Sequence, residues 1–457
     1  MYVRVVFLNL YKLYNYNTPE RLMNRRIKPG HLLIISYAIV DLVGTILLLL
    51  PIASHKPTTL LEAWFTATSA LTVTGLTVVT TATHWNLFGQ TVILILMQIG
   101  GLGLMVLATI ILTMLGMRIQ LGHRYLVAQD RNYFDLSGVV RLVRGIVILT
   151  LTLEGIGGVL MAILLPQVWE NGPLLGAFFI AFHAVSAFNG AGFDITGQSL
   201  EPFSHQTGFV LVVIILILLG SLGFVVLQEL FLTRKWRRLS LHSRLVLSVT
   251  VVITLAGTLF FFLSEYKGLL IDMSVMDKGV LSLFQAVTRT AGFTTLPISG
   301  WTEPFLFLMI LMMFVGASPG SVGGGIKTTT FGTVLLAIWA IVRGKKEVIL
   351  FEREIDPESV TKAFTVAVMA GLLAAASTLT LMVTEGIPFM PVLFEVVSAM
   401  ATVGLSMGIT KDLSGFGQIL IGLLMFVGRI GILSVIIILA GKERRRLHYM
   451  KEDILIG

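Results

Sequence analysis

The chain has 457 residues, 55% of them apolar and only 13% charged, with a net charge of +8. A soluble domain carries roughly 25% charged residues, so this chain has too little charge to coat a water-facing surface, which excludes a cytosolic enzyme, a disordered protein and a nucleic-acid binder. Cysteine is absent, so no disulfide framework or thiolate metal site exists, and 45 glycines are more than this length normally holds.

About 20 apolar residues span the hydrocarbon core as a helix. In chain order, crossings are expected at 31–54 (interrupted only by Asp41), 86–117, 145–169 (only by Glu154) and 206–228. Four more follow at 245–264, 304–342 around Lys327, 363–384, and 413–441 around Arg429. Shorter apolar stretches at 60–71, 173–188, 278–288 and 389–400 cannot cross and read as re-entrant helices. Of the 33 lysines and arginines, 26 fall before the first span, after the second, fourth and sixth, or in the tail. The positive-inside rule therefore puts both termini in the cytoplasm. The first 30 residues lack the apolar core of a cleavable signal. The fold class expected is all-α integral membrane.

The four short segments end alike. The first ends at Thr72, Val73, Thr74, Gly75 and Leu76; the second at Asn189, Gly190, Ala191, Gly192 and Phe193. The third ends at Arg289, Thr290, Ala291, Gly292 and Phe293; the fourth at Ala401, Thr402, Val403, Gly404 and Leu405. Phe65, Phe182 and Phe394 precede their glycines by ten positions, whereas Phe284 precedes Gly292 by eight. Each unit reads span, short helix, glycine turn, span, four times over: residues 31–117, 118–235, 236–343 and 344–441, between an N-terminal segment, 1–30, and a C-terminal tail, 442–457, both expected to be cytosolic. Inward carbonyls replace the hydration shell of a cation, and glycine adopts the angles that aim them. Close helix packing explains one such glycine, but not four at matched places.

The sixth span contains Gly316, Ser318, Pro319, Gly320, Gly323, Gly324, Gly325 and Lys327. Five glycines and a proline within ten residues cannot remain helical, so an unwound loop inside the membrane is expected. Gly316 to Gly320 fits G-x-S-x-G, but no strand-turn-helix context or triad accompanies it. Lys327 is out of register for a nucleotide P-loop. Lys327 and Arg429 are intramembrane cations and so functional candidates. For Asp41 and Glu154 a structural partner across helices stands level with a role on the ion path. Arg289, beside the third turn, is expected to brace it through carbonyls or a carboxylate, with tuning of ion occupancy as the second reading.

These four turns resemble the P-loops of the Ktr/Trk/HKT superfamily of potassium transporters, on the side of the bacterial Ktr membrane subunits, over roughly residues 30–440. The resemblance implies K+ uptake across a bacterial plasma membrane through a K+-channel-like pore, with the turns just quoted as ion-binding filter. Glycine in all four filter positions, Gly75 included, goes with potassium selectivity in that superfamily. It implies that the 316–330 loop gates the pore, with Arg429 facing it. It also implies a homodimer seated on a cytosolic ring of nucleotide-binding RCK subunits; this chain has no Rossmann fingerprint, so any nucleotide sensing is expected from another polypeptide. Sodium stays open as a coupling or activating ion, and no cofactor is expected in the chain. The basic face at 234–238, 343–346 and 442–446 is expected to contact anionic lipid and that ring. The rivals are a broken-helix secondary transporter and an intramembrane serine hydrolase.

Overall fold

In hydrocarbon every main-chain N–H and C=O must be satisfied within the chain, so apolar runs of this kind fold as helices. The computed structural model describes residues 29–103, 106, 139–170, 172–233 and 235–431. The basic residues expected at both chain ends and at 118, 124, 131 and 234 lie outside the described residues, as do the far parts of the second and eighth expected spans.

The described chain is mostly helical. Helix α1 spans Pro29–Leu49, α2 Leu60–Leu71, α3 Leu87–Leu102, α4 Val139–Leu164 and α5 Pro173–Asn189. Helices α6 (Thr207–Leu222), α7 (Phe224–Thr233), α8 (Leu241–Glu265), α9 (Val275–Val287) and α10 (Glu303–Val315) follow. The chain continues through α11 (Thr328–Val342), α12 (Pro357–Glu385), α13 (Phe389–Met400) and α14 (Gly415–Ile430). A two-stranded hairpin of β1 (Ile349–Leu350) and β2 (Arg353–Glu354) lies between α11 and α12.

Three of these helices are long and apolar enough to cross a membrane: α4 from Val143, α8 and α12. Their outward side chains are apolar: Leu151, Val159 and Ile163 on α4, Val252 and Leu263 on α8, and Leu372 and Val383 on α12 are all exposed. The burial runs the other way in the short helices. In α2, Phe65 to Leu71 form a continuous buried run, and so do Phe394 to Met400 in α13. Phe65, Phe182, Phe284 and Phe394 are each fully buried. Short helices therefore occupy the centre, and the long ones shield them with an apolar exterior.

Two expectations change. Residues 206–228 are not one straight span: α6 and α7 meet at a bend of 102°. The break expected only in the sixth span also occurs elsewhere, because α3, α6, α10 and α14 all end on a glycine with positive φ. These are Gly103 at 81°, Gly223 at 92°, Gly316 at 66° and Gly431 at 92°. The cause lies one turn earlier, where Gly100, Gly220 and Gly428 pack onto main-chain carbonyls of Leu71, Phe188 and Met400. Those carbonyls are at the ends of α2, α5 and α13, so the second helix of each group is pressed against the tip of a short helix.

Gly220→Ala is expected to lower folded yield and thermal stability in detergent, because its Cβ would enter the Phe188 carbonyl. Gly371→Ala, inside α12 with open space around it, is expected to raise helix stability by about 1 kcal/mol. Thermal unfolding of the two purified variants by size-exclusion fluorescence checks both directions.

Candidate functional site

The short helices α2, α5 and α13 end in the same cap. An N–H just past each helix end bonds to the carbonyl five residues back: Thr74 to Ser69 O at 2.8 Å, Ala191 to Ser186 O at 2.8 Å, and Val403 to Ser398 O at 2.9 Å. This is the 6→1 bond of a Schellman cap, which requires a left-handed residue before it. That residue is Val73 (φ 58°), Gly190 (φ 65°) and Thr402 (φ 50°). Positive φ on a β-branched residue is an outlier costing roughly 1–3 kcal/mol, so packing must hold Val73 and Thr402 in place; both are fully buried.

Buried serine hydroxyls on the same helices complete the tether. Ser69 Oγ accepts from Gly75 N and Ser398 Oγ from Gly404 N, both at 3.0 Å, while Ser186 Oγ donates to Phe193 O at 2.8 Å. The third turn is built differently. A 3₁₀ turn, Thr288–Thr290, continues α9, and Thr288 Oγ1 donates to Phe293 O. The shorter spacing from Phe284 to Gly292 is thus absorbed by tightening the helix end, and Gly292 keeps a φ of 67°.

The four turns meet in a closed ring. A Cβ at Gly75 would strike Ala191 O; at Gly192, Ala291 O; at Gly292, Val403 O; and at Gly404, Thr74 O. Each contact is between the glycine of one turn and the carbonyl just before the glycine of the next. The order runs first, second, third, fourth and back to first. Any side chain at these positions would push the turns apart, and φ between 67° and 96° at the four glycines strains any other residue. The candidate residues Thr72 to Gly75, Gly190 to Gly192, Thr290 to Gly292 and Ala401 to Gly404 are therefore brought together. Asn189 contributes main chain only: its side chain turns away, to Glu154 Oε1 at 2.9 Å and Gln98 Oε1 at 3.1 Å.

The loop between α10 and α11 lies against this ring. Gly324 N donates to Thr402 Oγ1 at 2.8 Å, which ties the loop to a turn residue. Arg429 donates through Nη1 to Val322 O and through Nη2 to Gly100 O. Lys327 Nζ donates to the Gly323 carbonyl, and Lys327 itself sits at φ 80°. Ser318 N and Val322 N donate to Ser221 O and Gly220 O, at 3.0 and 3.4 Å. Phe224 N donates to Gly320 O at 3.2 Å, and Gly316 and Gly325 pack main chain to main chain. The loop is thus ordered and stitched to the breaks in α3, α6 and α14.

Arg289 is nearly fully buried, and its Nη1 donates to Gly316 O at 2.7 Å and Met312 O at 3.4 Å. It braces the end of α10 and the entry of the loop, rather than the turn beside it. Thr328 Oγ1 donates to Ser318 Oγ at 3.0 Å, while His183 Nδ1 faces Phe179 O. Ser318 and His183 therefore bond to different groups. Asp41 has Thr68 as its cross-helix partner, with 3.1 Å to both carboxylate oxygens. Missed by the sequence reading are Ser69, Ser186 and Ser398, although serine recurs six positions before three of the glycines. Also missed are Gln98 and Glu395, which carry no motif.

The family model described as TrkH, cation transport protein, matches residues 4–444. The chain belongs to this family. Within it, the chain is 38% identical to Ktr system potassium uptake protein B of Bacillus subtilis, over 94% of this chain and 97% of that one. It is 40% identical to Ktr system potassium uptake protein D of the same organism, over 94% and 98%. The crystal structure of the potassium transporter TrkH from Vibrio parahaemolyticus matches with a TM-score of 0.71 at 20% identity, covering 91% of this chain and 86% of that one. That likeness shows a TrkH-like fold.

Ser69→Ala and Ser398→Ala each leave a glycine N–H without its acceptor. Each is expected to destabilise by about 1–3 kcal/mol, whereas Thr380→Val on the exposed face of α12 is expected to stay near wild type. Thermal unfolding in detergent distinguishes them.

Proposed function

We propose that the chain is the membrane subunit of a Ktr-type potassium uptake system and that its four glycine turns form the selectivity filter. The observation that carries this reading is the cyclic contact of Thr74, Ala191, Ala291 and Val403 carbonyls with the neighbouring glycines. Four main-chain oxygens around one axis replace the water around a dehydrated cation, and the C-terminal ends of the short helices add a negative dipole. The names of the Bacillus subtilis relatives, both potassium uptake proteins, support K+ as cargo. On this reading the chain is a transport protein and not an enzyme, and it runs as four units with eight crossings. Both termini face the cytoplasm of a bacterial cell.

The loop at 316–327, the part of the expected 316–330 segment that is not helical, is the gate. Its main chain is pinned by Thr402, Arg429 and Lys327 and its Val322 and Ile326 side chains are buried in the apolar core, so opening releases those hydrogen bonds and withdraws two apolar side chains. Its position against the filter turns favours this reading over two broken helices carrying a solute. The homodimer, the lipid contacts and the cytosolic RCK ring that senses nucleotide are part of the same proposal. So is sodium as an activating ion, which uptake assays with and without Na+ test. An inside-negative potential of 100 mV is worth about 2.3 kcal/mol per charge, roughly 50-fold accumulation of K+ without ATP.

The chain is expected to restore growth of a potassium-uptake-deficient bacterium at low external K+; failure with protein present in the membrane overturns the cargo. Gly75→Ser is expected to relax selectivity toward Na+, read as a shift in the K+/Na+ permeability ratio. Thr402→Val removes the acceptor of Gly324 N, and flux in proteoliposomes is expected to rise several-fold; unchanged or lost flux in folded protein speaks against the gate.

A further inference from the structure

Behind the ring, three carboxylates are buried with neutral partners. Glu154 of α4 accepts from Asn189 Nδ2 at 2.9 Å on Oε1 and from Gln98 Nε2 at 3.1 Å on Oε2. Glu395 of α13 is fully buried; it accepts from Ser406 Oγ at 2.7 Å on Oε2 and from Thr410 Oγ1 on Oε1. Asp41 accepts from Thr68. None of the three pairs with a cation among the described residues, where the ion pair seen is the exposed Lys362–Glu358. The deep basic groups Arg289, Lys327 and Arg429 donate to main-chain carbonyls of the loop. A buried carboxylate in this position is costly unless another positive charge lies near.

Two of these acids flank opposite turns of the ring. Asn189 is the last residue of α5 and directly precedes Gly190, so Glu154 is one hydrogen bond from the second turn. Asn189 Oδ1 is buried without a partner, so donation to Glu154, Gln98 and Val185 O is what orients this amide. Glu395 lies on the helix that leads into the fourth turn, and Ser406 follows Leu405 as the chain leaves it. Its hydrogen bonds therefore close the segment on both sides of Gly404.

We infer that Glu154 and Glu395 are positioning residues of the ring and that a permeant cation beside them favours their ionised form, so that together they set its affinity. The inference rests on the filter reading above and adds what determines how tightly that filter holds K+. Main-chain carbonyls supply dipoles but no net charge. A fixed unit charge roughly 10 Å from a cation, at an effective dielectric near 20, changes ion binding by about tenfold. Glutamine keeps the shape and one acceptor but removes the charge, while aspartate keeps the charge with a shorter reach.

The test is K+ uptake by the full-length protein in proteoliposomes. The variants are Glu154→Gln, Glu154→Asp, Glu395→Gln and Glu395→Asp, each checked for monodispersity, with Gly75→Ser as the reference. The Gln variants are expected to raise KM for K+ by about tenfold with maximal rate held within about twofold. The Asp variants are expected to stay close to wild type. The inference is overturned if the Gln variants keep the wild-type KM, or if the Asp variants raise it as much, since packing would then be the cause. The two acids lie on different helices, so either pair decides the question if one Gln variant does not fold. Should Gly75→Ser shift the K+/Na+ ratio while the Gln variants leave KM unmoved, only this inference fails. If Gly75→Ser also leaves the ratio unchanged, the filter reading fails with it.

Discussion

The architecture depends on one close approach: the glycine of each turn against the main-chain carbonyl that precedes the next turn's glycine. It occurs at all four junctions and admits no side chain. Everything around it serves to hold that approach. Three of the short helices end in Schellman caps that fix where the turns begin, with buried serines tying the turns back, and a 3₁₀ turn with Thr288 does the same for the third. Four buried phenylalanines anchor the helices themselves. The long helices then cover this assembly with apolar side chains, which hydrocarbon tolerates at no cost.

The same economy of space governs the layer below. Gly100, Gly220 and Gly428 let the second helices touch the tips of the short helices, and having come so close, those helices break one turn later. The break frees carbonyls and amides at membrane depth, which must find partners. The loop after α10 provides them: its N–H groups reach Ser221 and Gly220, and its carbonyls take Arg429 and Lys327. Ordered ring and interrupted helices are thus one packing problem, and the loop is its solution. The loop is held both by these hydrogen bonds and by the buried side chains of Val322 and Ile326.

Charge follows a separate logic. Among the described residues the buried Arg289 faces carbonyls, as do Lys327 and Arg429, and the buried Asp41, Glu154 and Glu395 face neutral donors, so none of these acids is paired with one of these bases. In a soluble core such an arrangement would be unstable. Here the bases bond to carbonyls of the loop, and Glu154 and Glu395 lie beside the second and fourth turns.

The sequence by itself determined the helical class, the short central helices, the four glycine turns and the unwound segment after α10. These are local consequences of apolar run length and of the φ angles open to glycine. α2 and α13 have the bounds read from the residues, because a polar or proline start and a glycine turn delimit them. Tertiary structure alone decided what those pieces touch. No local signal reveals that α6 and α7 bend by 102°, although the spacing of Gly220 and Gly223 was there to be seen. Nor does any say that Arg289 serves α10 instead of its own turn, or that Asn189 turns its amide away from the ring. Those outcomes rest on contacts between residues far apart in sequence, Glu154 with Asn189, Arg429 with Gly100, Gly404 with Thr74, which exist only once the turns have closed on one another.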